Sequence, residues 1–160
     1  MIRKTIEIKY TEYSDIKELP EKYQDLIYSA RKAAKNAYAP YSHFKVGAAL
    51  LMEDNSVIIG NNQENASSPV GSCAERTAIY WANANFPNKK IISIAITSID
   101  NKGKKAKHIS PCGLCRQTLI ETQQRFSSPI KVIIDNRDNI IEIPDVDSLL
   151  PLNFNNTSLK

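Results

Sequence analysis

Residues 71–98 read GSCAERTAIYWANANFPNKKIISIAITS, and the fold turns on how this run divides. From Ser72 onward Ala74, Thr77, Ala78, Trp81 and Ala82 recur at threes and fours, the period of an amphipathic helix, until Pro87-Asn88-Lys89-Lys90 breaks it. The next stretch, IISIAITS, is a continuous apolar run of strand length. A helix that feeds into a buried strand is a repeating unit of α/β chains.

Working outward, SVIIGN (56–61) and FKVGAALLM (44–52) are two apolar runs joined by Glu53-Asp54-Asn55, whose turn chemistry predicts a β-hairpin. Before them, LPEKYQDLIYSARKAAKNAY (19–38) has Tyr23, Leu26, Ile27, Ala30, Ala33, Ala34 and Ala37 on one helical face. Pro20 suits its first turn and Pro40 stops it. At the start, MIRKTIEIKYTEY alternates through Ile6, Ile8 and Tyr10, which predicts a short strand within an N-terminal extension over residues 1–15. Downstream, a second short helix is expected from Pro111 or Cys112 to about Arg125, then strands at IKVIID (130–135) and NIIEI (139–143). The order predicts an α/β fold with a mixed sheet covered by helices, in a single domain spanning 1–160.

Composition bounds the function. Of 160 residues, 42% are hydrophobic and 24% charged, the ordinary range for a soluble domain, and no apolar run approaches the ~18 residues that span a bilayer. Three cysteines, an odd number, without an export signal argue against a disulfide framework and for a reducing, cytoplasmic setting. The net charge of +4 is mild, and its one concentration is NKGKKAKH (101–108). That run holds no aromatic residue among its lysines, so it reads as a solvated loop and no nucleic-acid partner is expected.

All three cysteines fall in two short segments that each follow a strand candidate and open a helix: Cys73 in GSCAERTA, Cys112 and Cys115 in SPCGLCRQ. In open α/β sheets ligands collect where strands end and helix N-termini point, so the two segments can meet at one crevice. Alone, Cys-x-x-Cys serves equally as a redox pair, a structural half-site or two buried cysteines. A third cysteine changes the reading, because three thiolates leave a tetrahedral zinc one open position, the mark of a catalytic rather than a closed site. Glu75, two residues beyond Cys73, is too hard to be the preferred fourth ligand of a thiolate site but suited to moving protons beside it. Three thiolates on a divalent ion leave about −1, and Arg76 is the adjacent group able to offset it.

These segments match a zinc-deaminase pattern, in which Cys or His followed by x-Glu precedes Pro-Cys-x-x-Cys. More specifically, AYAPYSHFKVGAAL, GNNQENASSPVGSCAERTAI, SPCGLCRQ and LLPLNF resemble those of small homotetrameric cytidine deaminases of the three-cysteine type, from residue 37 to residue 154. The resemblance implies a three-layer sandwich around a mixed sheet, one zinc per chain on Cys73, Cys112 and Cys115, and Glu75 as proton shuttle. It implies Arg76 beside the ligand sulfurs, Asn62 and Glu64 on the ribose hydroxyls, Phe44 along the pyrimidine and the Ala74 N–H on its carbonyl. Phe154 is implied to reach a neighbouring subunit's site. The implied reaction is hydrolytic deamination of cytidine and deoxycytidine in pyrimidine salvage, with a nucleoside as substrate and a homotetramer as assembly.

Ser68 departs from this pattern, standing in ENASSP where many relatives carry an aromatic. Neither His43 nor His108 occupies a ligand position, and no glycine-rich phosphate loop is present. A cytosine-containing antibiotic or a modified nucleoside is the alternative substrate, since the zinc apparatus does not choose the sugar. A polynucleotide is disfavoured by the mild charge.

Overall fold

The computed structural model describes residues 1–159. Among them the chain runs β1 (Thr11–Tyr13), α1 (Glu21–Lys35), β2 (Lys45–Met52), β3 (Val57–Asn61), α2 (Ala74–Asn85), β4 (Ile91–Ile99), α3 (Gly113–Phe126), β5 (Lys131–Asp135) and β6 (Ile140–Ile143). The strands form one sheet in the order β1-β6-β5-β4-β2-β3, in which β4 and β5 are parallel and every other neighbouring pair is antiparallel. No helix among the described residues is long and apolar enough to cross a membrane.

Successive strand side chains point to opposite faces, and that alternation sorts the apolar residues into two cores. Ala48, Leu50 and Met52 of β2, Ile94 and Ile96 of β4 and Val132 and Ile134 of β5 pack with Ala74, Ala78 and Ile79 of α2 and Leu119 and Ile120 of α3. The intervening Ala49, Leu51, Ala95 and Ile133 face the other way, onto Tyr23, Leu26, Ile27 and Ala30 of α1. The result is the expected three-layer sandwich around a mixed sheet, with α1 on one side and α2 and α3 on the other.

Two glycines set how closely helices approach. A Cβ on Gly47 would stand 2.1 Å from the Ala30 carbonyl oxygen of α1, and one on Gly60 would stand 2.6 Å from the Ala74 oxygen and the Ala78 nitrogen of α2. Both contacts are with helix backbone, so a side chain at either position forces the helix away. Gly60 thereby fixes how deeply the N-terminus of α2 sits over the sheet.

The hairpin forms as expected, β2 pairing β3 in register from Gly47↔Asn61 to Leu51↔Val57, with Asn55 at φ 64°. Asn tolerates that left-handed conformation in a turn. The N-terminal strand is shorter than its alternation implies. Only Thr11–Tyr13 pair with β6, and residues 1–10 lie outside any strand. Continuing that antiparallel register carries Tyr10 to Ile143, the last residue of β6, and Lys9 to Pro144, which has no amide hydrogen to donate.

At the C-terminal end of β5, Asp135 is 1% exposed. Its carboxylate accepts from Arg31 Nε and Nη2 of α1, each at 2.8 Å, from Lys105 Nζ at 2.7 Å and from Thr97 Oγ1 of β4 at 2.8 Å. One member of the basic run therefore closes an internal ion cluster rather than facing a partner.

Candidate active site

Helices α2 and α3 both begin with a cysteine in extended conformation. Cys73 is the N-cap of α2 and Cys112 the N-cap of α3, and neither makes a side-chain capping bond. Cys115 follows in the first turn of α3 and is buried. The Cys73 and Cys112 sulfurs are 3.8 Å apart, the Cys112 and Cys115 sulfurs 3.4 Å, and all three lie within 4.8 Å of one another. Zinc–sulfur bonds of ~2.3 Å in tetrahedral arrangement put neighbouring sulfurs about 3.8 Å apart, so this donor set fits one zinc ion. No other group of three Cys, His, Asp or Glu side chains converges in this way among the described residues.

The site's electrostatics favour thiolate. A hydrogen bond from Cys115, aided by the adjacent Arg76 guanidinium, outweighs burial and brings the Cys73 thiol down to about 5. Cys115 is pushed the other way, chiefly by giving that hydrogen bond and then by burial. Arg76 donates from Nη2 to the Gly71 carbonyl at 3.2 Å, while its Nε is buried with no hydrogen-bond partner. Glu75 is 4% exposed. Burial first, then the adjacent Cys73 charge, raise its carboxyl above the ordinary range.

Cys73, Glu75 and Cys112 line a cavity of about 290 Å³ together with the apolar side chains of Phe44, Val46, Ile96 and Ile109 and with Ala74 and Ser110. Ala74 lines this cavity, and its first-turn amide has no acceptor within its own helix. A second, more polar cavity of about 430 Å³ adjoins the first and shares Ser42, Asn62, Glu64 and Cys73 with it. Ser68 lines this second space.

Asn62 and Glu64 reach the junction of the two cavities, but both already have work. The Asn62 Oδ1 accepts from the Val46 amide at 2.7 Å and its Nδ2 donates to the Phe44 carbonyl at 2.9 Å. The Glu64 Oε2 accepts from the Tyr41 and Ser42 amides at 2.9 and 3.3 Å, and its Oε1 from the Ser42 hydroxyl. The Ser42 bond and then the Tyr41 amide hold the Glu64 carboxyl below its usual range, so it stays ionised. The pair thus anchors the segment carrying Phe44, and Asn62 retains one donor and one acceptor site while Glu64 retains one acceptor site.

Phe154 does not join the others. It is 62% exposed, lines neither cavity of its own chain, and meets α3 through its backbone carbonyl, which accepts from Gln117 Nε2 at 2.8 Å. Two residues not singled out in the sequence stand close behind the site: Arg116, whose guanidinium bonds the turn before Cys112, and Asn136, buried at the end of β5. Arg116 lay in plain view inside SPCGLCRQ; no sequence signal marked Asn136.

The profile of the cytidine and deoxycytidylate deaminase zinc-binding region matches residues 20–127. A cytidine deaminase of Halalkalibacterium halodurans is 42% identical over 128 residues, covering 80% of this chain and 90% of that protein. One from Sporosarcina psychrophila is 37% identical over 136 residues, 85% of this chain and 93% of that protein. The crystal structure of cytidine deaminase from Burkholderia pseudomallei superimposes with a TM-score of 0.68 at 37% identity, covering 82% of this chain and 98% of that one.

Proposed function

We infer the chemistry of the crevice from the premise that this chain belongs to the cytidine and deoxycytidylate deaminase family. The protein is a zinc-dependent hydrolase that deaminates cytidine to uridine and ammonia, and we extend the substrate to deoxycytidine. The observation that carries this reading is the juxtaposition of a buried carboxyl, Glu75, with three converging thiols, two of which, Cys73 and Cys112, line the same largely apolar cavity as Glu75.

Zinc held by Cys73, Cys112 and Cys115 supplies the Lewis-acid charge that brings a water within reach of deprotonation near neutral pH. Glu75 takes that proton and delivers it to ring nitrogen 3. It then takes the second proton, from the hydroxyl added at ring carbon 4, and gives it to the amine as the carbon–nitrogen bond breaks and the carbonyl forms. One carboxyl then serves as base and acid in turn. Arg76 offsets the surplus negative charge of three thiolates. The Ala74 N–H donates to the pyrimidine carbonyl oxygen, and Phe44 packs along the ring between Val46 and Ile109. The ribose extends into the polar cavity, where the remaining Asn62 and Glu64 capacity meets its hydroxyls. Ser68 leaves room there that a ring would fill. Asn62 and Glu64 at the shared edge of the two cavities favour a nucleoside over a cytosine-containing antibiotic, and the mild net charge of +4 disfavours a polynucleotide. Incubating purified protein separately with cytidine, deoxycytidine and free cytosine tests the reading by ultraviolet absorbance. Loss of the cytidine band with little change for cytosine is expected; no change with either nucleoside overturns it.

We further propose a homotetramer in the cytoplasm, acting in pyrimidine salvage, with sites shared between subunits. Support comes from the exposed apolar side chains Val57, Ile59 and Trp81, which line one shallow hollow, and from the exposed Phe154, which lines neither cavity of its own chain. In the shared site Phe154 closes a neighbour's pocket. Glu75→Ala and Phe154→Ala proteins, mixed and reassembled, then regain activity above either parent, because a site with native Glu75 receives native Phe154 from another chain. Activity equal to the parents' mean, with mixed oligomers demonstrated by mass, sinks the shared site.

A further inference from the structure

Between β4 and α3, residues 109–111 form an irregular strap with no strand or helix pairing of its own. Ile109 and Ser110 line the 290 Å³ cavity, and the next residue after Pro111 is the ligand Cys112. The strap's path therefore decides both the shape of the pocket wall and where one sulfur sits. A backbone segment outside regular structure needs partners from elsewhere, and here they are two side chains.

Asn136 takes one end. Its Oδ1 accepts from the Ile109 amide at 2.9 Å, while its Nδ2 donates to Asn139 Oδ1 at 3.0 Å and its own amide bonds the Asn139 carbonyl at 3.0 Å. The Ile109 amide can only donate, so it fixes the Asn136 Oδ1 toward the strap and leaves Nδ2 to Asn139. At 1% exposure no water replaces it. Arg116 takes the other end with a three-way fork: Nε to the Pro111 carbonyl, Nη2 to the Ser110 hydroxyl and Nη1 to the Leu149 carbonyl, each at 2.8 Å. The last bond ties the strap to the turn Val146–Leu149, which packs in the same core as α3.

We propose that Asn136 and Arg116 are positioning residues for the deaminase site, a proposal that rests on the reading above. Asn136 sets the Ile109 wall against which the ring packs, and Arg116 sets Cys112. Neither touches substrate or metal. A lysine cannot replace Arg116, because it offers one point charge where three acceptors lie around a planar fork.

The test uses zinc-loaded and metal-free full-length protein. Asn136→Ala should speed amide exchange at Ile109 in both forms and raise KM for cytidine about tenfold, with zinc content unchanged. Asn136→Asp, which retains an acceptor for that amide, should recover the exchange protection. Arg116→Met should weaken metal binding about 10- to 100-fold in competition with a chelator and shift the cobalt–thiolate absorption of the cobalt-substituted protein. Arg116→Lys should restore little of either. Variants that only melt earlier, with Ile109 exchange, metal affinity and cobalt spectrum at wild-type values, overturn the proposal. Should Arg116→Met not fold, wild-type metal affinity in Arg116→Lys overturns it alone. Wild-type protein inert toward cytidine would defeat the deaminase reading while leaving the exchange and metal measurements to judge the strap.

Discussion

Glu75→Gln should keep a full complement of zinc and lower turnover of cytidine by about 10²–10⁴. Gln has nearly the same shape, so the α2 N-terminus and its Cys73 cap stay put, but an amide can neither take a proton from water nor return one to an amine. The environment suits proton transfer, since the carboxyl is 4% exposed and lies in the first turn of α2 beside the thiols. Steady-state kinetics with metal analysis of the same samples checks it. Loss of zinc together with activity would make Glu75 a ligand, and retention of activity would move the proton chemistry to another group.

Asp135→Ala should lower stability by about 3 kcal/mol, the low end for breaking a buried ion pair. The low end applies because Arg31 and Lys105 retain 32% and 25% exposure and can turn toward water once released. For a chain of this length that is about 6–12 °C in melting temperature. The same cluster fixes a pH dependence. Burial alone would raise the Asp135 carboxyl, but hydrogen bonds from Arg31, Lys105 and Thr97 outweigh it and hold the group below its ordinary range. A carboxyl depressed in the folded state contributes stability above its unfolded pKa and loses that contribution as pH falls through the folded value. The melting temperature gap between wild type and Asp135→Ala should therefore be widest near neutrality and close under acid. A gap that is constant from neutral to strongly acidic pH contradicts this.

The layered fold was legible because its signals are local. The helical period over 72–82, the apolar run at 91–98 and the turn residues 53–55 each state one element, and α2, β4 and the β2–β3 hairpin stand where they point. The cysteine–glutamate constellation was legible for a different reason: rare residue types with chemical purpose leave a trace that spacing alone reveals. Ile6, Ile8 and Tyr10 misled because period-two alternation describes a strand's faces and says nothing of whether a neighbouring strand extends far enough to pair. Asn62 and Glu64 are polar in the sequence either way, so their grip on the Phe44 and Tyr41 backbone became visible only in three dimensions. Asn136 and Asp135 lie at the end of a strand whose pattern ends in polar residues, where nothing distinguishes a solvent-facing terminus from an internal anchor.

The two missing helix caps carry a consequence for stability. Cys73 and Cys112 occupy positions where Ser, Asp or Asn would normally satisfy free amides, yet neither side chain does so. Zinc on the three cysteines would hold both sulfurs as thiolates, which can accept from the free first-turn amides, and would tie the starts of α2 and α3 together. Whatever binds only the native form adds its binding energy to folding, about 2.7 kcal/mol at a hundredfold excess over Kd. The melting temperature should therefore rise with free zinc concentration, and a chelator that leaves it unchanged contradicts this coupling of fold to metal.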